Sequence, residues 1–261
     1  MNTLKQKILR KEKTIGTIIS MAGACVSDIL SRIGYDFLWI DCEHSYLSYE
    51  DVLTHVTIAK NSGTAVIVRV PQNDLTATKK ILEMGVDGII FPMVKSVEEA
   101  KALIDFTLYP PLGSRGFGPM SANHYGLKNA NEYVEEANSN LCRFVQIENA
   151  EIVDQLEQLM ENKYIDGYIF GPNDLSGSIN DFLNVYGEKT TCLMNVAIEK
   201  LKHAGKYIGI ATGSNKKEVV RHWSGMGADM VCAGGDYGFL VDGAVNLKTI
   251  LSNEHKGEKN D

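Results

Sequence analysis

No stretch of this 261-residue sequence approaches the roughly 18 consecutive apolar residues that a membrane-spanning helix requires. We therefore expect no helical span and no membrane partner. Lysine and arginine are not gathered into a patch interleaved with aromatic residues either, and the formal net charge is -7. Because nucleic-acid binding needs clustered basic residues, nucleic acid is not an expected partner.

Cysteine is scarce, and the N-terminus has no signal-like segment. The five cysteines are scattered, odd in number and mostly in apolar surroundings. Such a set is typical of reduced core thiols rather than of a disulfide framework. The first residues are basic, but no apolar stretch follows them as it would in a secretory signal. The sequence thus predicts a cytoplasmic protein.

Short apolar segments alternate with helical patterns along the chain. Eight of them are predicted as strands: residues 15–20, 35–41, 65–69, 88–91, 143–147, 168–170, 207–211 and 229–233. Because no change in composition marks a linker, residues 1–252 are predicted to form one catalytic domain of the α/β class, a (β/α)8 TIM barrel. Residues 253–261 are predicted to be a solvated tail. A doubly wound open sheet is the alternative, but eight consecutive units favour closure.

Two acidic residues stand at the ends of adjacent predicted strands. Glu148 follows the apolar segment 143–147, and Asp174 comes shortly after strand six. Carboxylates from neighbouring strand ends offer the hard oxygen ligands that a divalent cation such as Mg2+ prefers. The alternative is that Glu148 caps a helix beginning at Asn149 and that Asp174 lies in a turn.

Further charged residues follow the second and third predicted strands. His44 comes just after strand two with Asp41 and Glu43 beside it, which is typical of a general base oriented by a carboxylate. Arg69 ends strand three, where an arginine can bind a carboxylate or steady an oxyanion. The alternatives are a structural histidine and an arginine paired with Asp41 or Glu43. Because these residues end consecutive strands at one face of a barrel, we interpret them as a single site.

Five ordered motifs resemble those of a known family. They are residues 37–44 (FLWIDCEH), 68–69 (VR), 109–116 (YPPLGSRG), 145–148 (VQIE) and 171–176 (GPNDLS). In this order they resemble the HpcH/HpaI aldolases, from about residue 15 to residue 251. These are metal-dependent class II pyruvate aldolases, of which the 4-hydroxy-2-oxoheptanedioate and 2-keto-3-deoxy sugar-acid aldolases are typical.

The resemblance implies a (β/α)8 barrel, a homohexamer built as a trimer of dimers, and a last helix exchanged between partners. It also implies roles for individual residues. Glu148 and Asp174 hold Mg2+ or Mn2+ (with Co2+ as a further candidate), and Gln146 lies close to the metal. His44 is the base oriented by Asp41, Arg69 stabilises the enolate, and the backbone amides of Asn173 and Asp174 hold the pyruvate carboxylate. Glu83 stands where the family has an acid that reaches a neighbouring subunit's site.

Arg115 and Ala211 complete the predicted substrate-binding residues. Arg115 lies in a long irregular segment, residues 109–129, which we interpret as a mobile loop that brings this arginine to the distal part of the substrate. Ala211 ends predicted strand seven, at the same end of the barrel as the other candidates. Two positions depart from the family pattern: Cys42 replaces a usual glycine, and Asn173 replaces a residue that is often small.

The predicted reaction is the reversible cleavage of a 4-hydroxy-2-oxo acid, either a 2-keto-3-deoxy sugar acid or a 4-hydroxy-2-oxo dioate, to pyruvate and an aldehyde. A divalent metal chelated by the 2-oxo acid stabilises the pyruvate enolate as a Lewis acid. A class I aldolase would instead need a lysine on a strand that points into the mouth. The predicted strands contain no lysine, and Lys95 lies beyond strand four. Two rival functions are a malyl- or citramalyl-thioester lyase, for which no basic groove is visible, and a barrel without catalysis.

Overall fold

The computed structural model describes residues 3–257, with side-chain surroundings through residue 254. Eight strands form the centre of the fold: Thr14–Ile19 (β1), Phe37–Asp41 (β2), Ala65–Arg69 (β3), Gly88–Phe91 (β4), Cys142–Ile147 (β5), Gly167–Phe170 (β6), Ile208–Thr212 (β7) and Met230–Gly235 (β8). Each strand pairs in parallel with the next, and β8 pairs with β1, so the sheet closes into a barrel. The predicted (β/α)8 barrel is confirmed.

Twelve α-helices accompany the strands within the described residues: Thr3–Leu9 (α1), Ala24–Ile33 (α2), Tyr49–Asn61 (α3), Leu75–Glu83 (α4), Val97–Asp105 (α5), Ala130–Asn140 (α6), Ala150–Asp154 (α7), Leu156–Leu159 (α8), Pro172–Ser178 (α9), Glu188–His203 (α10), Lys217–Gly225 (α11) and Asp236–Gly257 (α12). A short 3-10 helix, Ser121–Gly126, lies before α6. Polar side chains that accept from first-turn amides fix several helix starts, as Ser48, Asp74, Ser96, Asn129 and Asn149 do.

The core has two parts, one inside the barrel and one between the sheet and the helices. Apolar side chains such as Trp39, Ile67 and Phe144 fill the barrel interior, so the barrel is packed rather than open. Leu4 and Ile8 of α1 belong to the same interior cluster. Helix α1 therefore closes one end of the barrel and leaves the other end, where the strands finish, free for a site.

One glycine shows how closely the interior is packed. A Cβ on Gly16 in β1 would collide with the ring of Phe37 in the neighbouring strand β2. The aromatic ring therefore occupies the space that a side chain at position 16 would need. Interiors of protein cores have few gaps of this size left over, so the glycine is required by packing.

Several element boundaries differ from the prediction. Residues 175–178 of the predicted loop 175–187 belong to helix α9. Pro172 suits the first position of a helix, and this outweighs the loop tendency of Ser176 and Gly177. The predicted helix 150–160 is divided into α7 and α8. The last helix continues to Gly257, so part of the predicted tail is helical, and residues 258–261 lie outside the described part of the chain. Within residues 3–257, no helix is both long and apolar enough to cross a membrane.

Candidate active site

A cavity of about 610 Å³ opens at the carboxyl ends of the strands. It brings together every predicted site residue except Arg115: Asp41, His44, Arg69, Gln146, Glu148, Asn173, Asp174 and Ala211 all line it. These residues come from β2, β3, β5, α9 and β7 and from the segments that follow the strands. The carboxyl ends of all eight parallel strands lie at one face of the barrel, and this topology brings the residues together.

Arg69 is a buried cation in the lining of the cavity. Its Nε and Nη2 atoms donate to the two carboxylate oxygens of Asp41, at 3.0 and 2.6 Å. Its Nη1 atom lies 2.9 Å from Oε2 of Glu43. Burial alone would lower the pKa of Arg69, but the hydrogen bonds and charge of Asp41, followed by the charges of Glu43 and Glu148, raise it above its ordinary value. The guanidinium is therefore a permanent charge in a fixed orientation. The pairing with Asp41 or Glu43 that was the structural alternative is present, and it involves both acids.

Asp41 also holds the chain that carries His44. One of its carboxylate oxygens accepts from the backbone N–H of Glu43 at 3.0 Å and from that of His44 at 3.3 Å. The imidazole itself is 64% exposed, and its Nε2 atom is 3.6 Å from Oε2 of Glu43. The contact of Asp41 with His44 is thus through the backbone amide, and the acid beside the ring is Glu43. Asp41 positions the backbone, because both of its oxygens are occupied by Arg69 and by these amides.

Gln146 connects Arg69 to Glu148. Its Oε1 atom accepts from Nη1 of Arg69 at 3.4 Å, and its Nε2 atom donates to Oε1 of Glu148 at 2.5 Å. The other oxygen of Glu148 accepts from the backbone N–H of Met93 at 3.1 Å. Since Gln146 and Glu148 are two residues apart at the end of β5, both side chains point to the same side of the strand. The alternative that Glu148 caps the next helix is overturned, because Asn149 caps α7.

Glu148 is a buried carboxylate whose charge is only partly offset by the groups around it. Burial, as the main cause, raises its pKa to about 8, and the nearby charges of Asp174 and Glu43 act in the same direction. The Met93 amide and the charge of Arg69 act against this rise without cancelling it. The site therefore has an excess of acidic groups around one buried carboxylate, an arrangement that a bound cation would stabilise.

Asp174 reaches the cavity from the first turn of α9. Gly171 precedes that helix, and Pro172 begins it. A Cβ on Gly171 would collide with the carboxylate of Glu148, so only glycine leaves room for this side chain. The structure thus places Asp174 on a helix that begins beside Glu148, and the alternative of a turn is not what the chain adopts.

The two carboxylates fit a magnesium-like ion. Within residues 3–257, His, Cys, Asp and Glu side chains form no cluster of three or more that could enclose a metal by themselves. Mg2+, however, commonly takes only one or two protein carboxylates and completes its shell with water and substrate oxygens. The donor set of Glu148 and Asp174 and the raised pKa of Glu148 agree with such a site.

Arg115 does not reach this cavity, so its predicted contact with the distal part of the substrate is not supported by its position. It is 4% exposed and lies over the ring of Tyr109, with 4.4 Å from the guanidinium carbon to the ring centre. Its Nη2 atom donates to the Tyr133 hydroxyl at 3.1 Å and lies 3.4 Å from Glu83. The irregular segment folds back onto α4 and α6, because aromatic and ionic partners hold the arginine there. Arg115 lines a different cavity of about 300 Å³.

The prediction missed one wall of the mouth cavity. It consists of apolar and aromatic side chains from the loop before α10 and from α11: Val185, Tyr186, Val219 and Trp223. Trp223 is a buried position on an amphipathic helix, which by sequence is indistinguishable from an ordinary core residue. Tyr186 lies in a loop whose path depends on distant contacts. No local signal in the sequence marks this wall.

The five cysteines are all free, as predicted. Cys142 and Cys232 are buried and Cys42 is half-buried, but Cys25 and Cys192 are exposed, so the expectation of core thiols holds for only part of the set. Burial raises the pKa of the Cys42 thiol to about 12, and Asp41 adds to this rise. The thiol beside the site is therefore protonated at neutral pH, and it is a poor nucleophile.

The chain is similar in sequence to several proteins named as aldolases. It is 29% identical to a 4-hydroxy-2-oxo-heptane-1,7-dioate aldolase from Klebsiella pneumoniae over 94% of this chain and 92% of that protein. It is 28% identical to a hydroxypyruvate/pyruvate aldolase from Deinococcus radiodurans, over 98% and 92% of the two chains. These relatives support a carbon–carbon lyase.

Solved structures agree with this relationship. An HpcH/HpaI aldolase/citrate lyase family protein from Burkholderia cenocepacia superimposes with a TM-score of 0.90 at 25% identity, over 97% of this chain and 100% of that chain. An HpcH/HpaI aldolase from Desulfitobacterium hafniense gives a TM-score of 0.87 at 27% identity, over 96% and 97%. Residues 16–241 match the family described as HpcH/HpaI aldolase/citrate lyase. Together with the motifs at the strand ends, these matches establish that the chain belongs to the HpcH/HpaI aldolase/citrate lyase family.

Proposed function

We propose that this protein is a class II aldolase that reversibly cleaves a 4-hydroxy-2-oxo acid to pyruvate and an aldehyde. The observation that carries this proposal is the convergence of a fixed arginine, two carboxylates and a histidine in one mouth cavity. Retro-aldol cleavage needs a site for the 2-oxo acid, stabilisation of negative charge on the keto oxygen and a base for the 4-hydroxyl proton. The cavity offers a group for each of these needs.

Glu148 and Asp174 are the residues that would hold a divalent cation, Mg2+, Mn2+ or Co2+. The ion supplies Lewis acidity to the keto group of the substrate when it is bound. The protein's own part is to keep Glu148 oriented, through Gln146 and the Met93 amide. In this proposal Gln146 also borders the bound 2-oxo acid, because it lies between Arg69 and Glu148.

Arg69 is assigned to the keto oxygen of the 2-oxo acid. Asp41 holds the guanidinium with two hydrogen bonds, so its position is set before the substrate binds. A preorganised cation beside an oxygen that gains negative charge lowers the barrier, typically by about 3 kcal/mol. Because Asp41 and Glu43 partly neutralise the guanidinium, Arg69 contributes to catalysis more through its fixed orientation than through its net charge.

His44 is assigned as the base that takes the proton from the 4-hydroxyl group. Its ring is at the cavity and exposed to solvent, which gives the proton a route to water. Glu43 is the acid beside the imidazole, with 3.6 Å between Oε2 and Nε2. Burial raises the pKa of Glu43, with the nearby acids Asp41 and Asp174 adding to the rise and Arg69 and His44 opposing it.

The pyruvate carboxylate is assigned to the backbone amides of Asn173 and Asp174. These residues lie in the first turn of α9, where helix N–H groups have no partner within the helix. Ala211 at β7 borders the same cavity and leaves space beside the substrate. We also propose a cytoplasmic location, on the basis of the free cysteines.

A homo-oligomer is part of the proposal. Helix α12 exposes a series of large apolar side chains that water would disfavour: Leu240, Val241, Val245, Leu247, Ile250 and Leu251. After its first turn the helix contributes little to the core of its own chain. A second copy of the chain would bury this surface, in keeping with a hexamer built from paired subunits.

The direct test is an assay of pyruvate release from a panel of 4-hydroxy-2-oxo acids, with malyl and citramalyl thioesters in parallel. We expect release from the oxo acids only. A thioester lyase needs cations for the coenzyme phosphates, and Arg69, already paired with two acids, is the only arginine or lysine in the described lining of the cavity. Cleavage of the thioesters alone, or of no substrate in the presence of metal, would contradict the proposal.

A further inference from the structure

The mouth cavity has two chemically different sides. The ionic groups that we assign to pyruvate lie on one side, at the ends of β2, β3 and β5 and at the start of α9. Another part of the lining is the apolar wall of Val185, Tyr186, Val219 and Trp223, from the loop before α10 and from α11. If pyruvate occupies the ionic part, the aldehyde half of the substrate extends away from it, and this wall is the apolar surface that the lining offers.

The wall is built from stacked aromatic rings. The ring of Tyr186 stacks on Trp223, with centres 5.5 Å apart and 19° between the planes. His222 packs edge-on against Trp223 at 4.6 Å and against Tyr186 at 5.0 Å. Trp223 is only 3% exposed, whereas Tyr186 is 54% exposed. Trp223 therefore forms a rigid base, and Tyr186 covers it from the solvent side.

The charges of the cavity are unfavourable for a second carboxylate. The ionisable groups in the described lining, tyrosines aside, are Asp41, His44, Arg69, Glu148 and Asp174. Arg69 already pairs with Asp41 and Glu43. No lysine belongs to this lining within residues 3–257, and the nearby lysines at the start of α11 are exposed outside it. An aldehyde that ends in a carboxylate would therefore place an unpaired negative charge against aromatic rings, which is costly.

We propose that the aldehyde half of the substrate is uncharged and has an apolar body that rests on Trp223 and Tyr186. This inference rests on the proposed aldolase function, and it narrows the substrate class by excluding 2-oxo dioates. The hydroxyl groups of Thr212 and Ser214, also in the lining, are compatible with hydroxyl substituents on the aldehyde. In the synthetic direction C3 of pyruvate loses a proton and bonds to the aldehyde carbon, and the aldehyde oxygen gains a proton, so no oxidant or reductant is needed.

A matched pair of four-carbon aldehydes tests this inference. Butanal and succinic semialdehyde differ chiefly in the terminal carboxylate of the latter, and each is combined with pyruvate, the full-length enzyme and Mn2+. We expect kcat/KM for butanal to exceed that for succinic semialdehyde by roughly tenfold or more. Equal values, or a preference for succinic semialdehyde, would overturn the inference.

Substitutions in the wall provide a second readout. Ser214→Lys introduces a cation into the lining and should raise kcat/KM for succinic semialdehyde relative to butanal by roughly tenfold. Tyr186→Ala should lower kcat/KM for butanal more than it lowers proton exchange at C3 of pyruvate. Phe182→Ala is the matched control, because Phe182 is an exposed aromatic residue of the same loop that does not line the cavity. An unchanged preference in Ser214→Lys, or equal losses of butanal addition in Tyr186→Ala and Phe182→Ala, would count against the apolar wall.

Exchange of the pyruvate C3 protons in D2O separates this inference from the proposed function. The exchange needs only the ionic side of the cavity, and it is followed by NMR without any aldehyde. Exchange together with a preference for succinic semialdehyde would leave the aldolase proposal intact and overturn the inference. The absence of both exchange and aldol addition in the presence of metal would overturn both.

Discussion

Arg69 and Asp41 are register partners on the neighbouring strands β3 and β2, and two hydrogen bonds of 3.0 and 2.6 Å join their side chains. Asp41 ends β2 and Arg69 ends β3, so the pair stands at the edge of the cavity. The same carboxylate accepts from the backbone amides of Glu43 and His44. One ion pair therefore fixes both the guanidinium and the segment that carries the proposed base.

Replacing Arg69 by lysine should reduce catalysis without removing the positive charge. Lysine cannot reproduce the forked contact with Asp41, so we expect kcat for pyruvate release to fall by on the order of 10²-fold, with little change in Mn2+ affinity. Arg32→Lys is the matched control, since Arg32 pairs with Asp28 on the exposed surface. A normal kcat in Arg69→Lys would show that the arginine has only a structural role.

Removal of metal should abolish activity. We expect EDTA to stop pyruvate release and Mg2+, Mn2+ or Co2+ to restore it. Glu148→Gln and Asp174→Asn preserve side-chain shape, and each should bind Mn2+ at least about tenfold more weakly in calorimetry while its circular dichroism stays native. Glu157→Gln, at an exposed acid paired with Lys200, serves as the control. Full activity after dialysis against EDTA would contradict the metal assignment.

Gly171 offers an independent test of the position of Glu148. Because a Cβ at position 171 would collide with the Glu148 carboxylate, Gly171→Ala should weaken Mn2+ binding and lower kcat by roughly tenfold or more. Gly225→Ala, where a Cβ would meet no other atom, should leave both quantities within about twofold of the native protein. Equal behaviour of the two variants would mean that Glu148 does not need its observed position.

Activation of the carbonyl should not involve a lysine. Lys95 is exposed and does not line the mouth cavity, and the eight strands contain no lysine. We therefore expect borohydride with pyruvate neither to trap an adduct nor to inactivate the enzyme, and Lys95→Ala to keep most of its activity. Intact-mass spectrometry is the measurement. A mass increase of one reduced pyruvate on Lys95 would replace the class II assignment by a class I mechanism.

The apolar surface of α12 should hold subunits together. Charged residues at two exposed positions, in the double variant Leu240→Glu and Leu247→Glu, should shift the mass in sedimentation experiments toward the monomer, because burial of a charge against apolar surface is unfavourable. Lys248→Glu changes the charge of the same helix at an exposed polar position and is the control. An unchanged mass in the double variant would show that α12 is not an interface.

The barrel and most of the site were accessible from the sequence because their signals are local. Strands such as 65–69 and 88–91 are short apolar runs whose predicted bounds match the structure. Once the strands are placed, parallel closure brings Arg69, Glu148 and the acids after β2 to one end of the barrel. The prediction of these residues required the barrel topology but no knowledge of individual contacts between distant segments.

Tertiary structure decided the parts that depend on contacts between distant segments. Asp41 binds Arg69 and two backbone amides rather than the His44 ring, since side-chain partners are chosen by distance and not by sequence order. Arg115 packs on Tyr109 and Tyr133, away from the mouth, although it belongs to a family motif.

The aromatic wall formed by Tyr186 and Trp223 exists only because a loop and a helix that are far apart in sequence pack together. Periodicity describes which face of an element is buried, but it does not describe what a loop packs against. The residues of the proposed pyruvate side could therefore be predicted from the sequence, because they stand at strand ends. The shape and polarity of the proposed aldehyde side depend instead on the packing of α11 against the loop before α10.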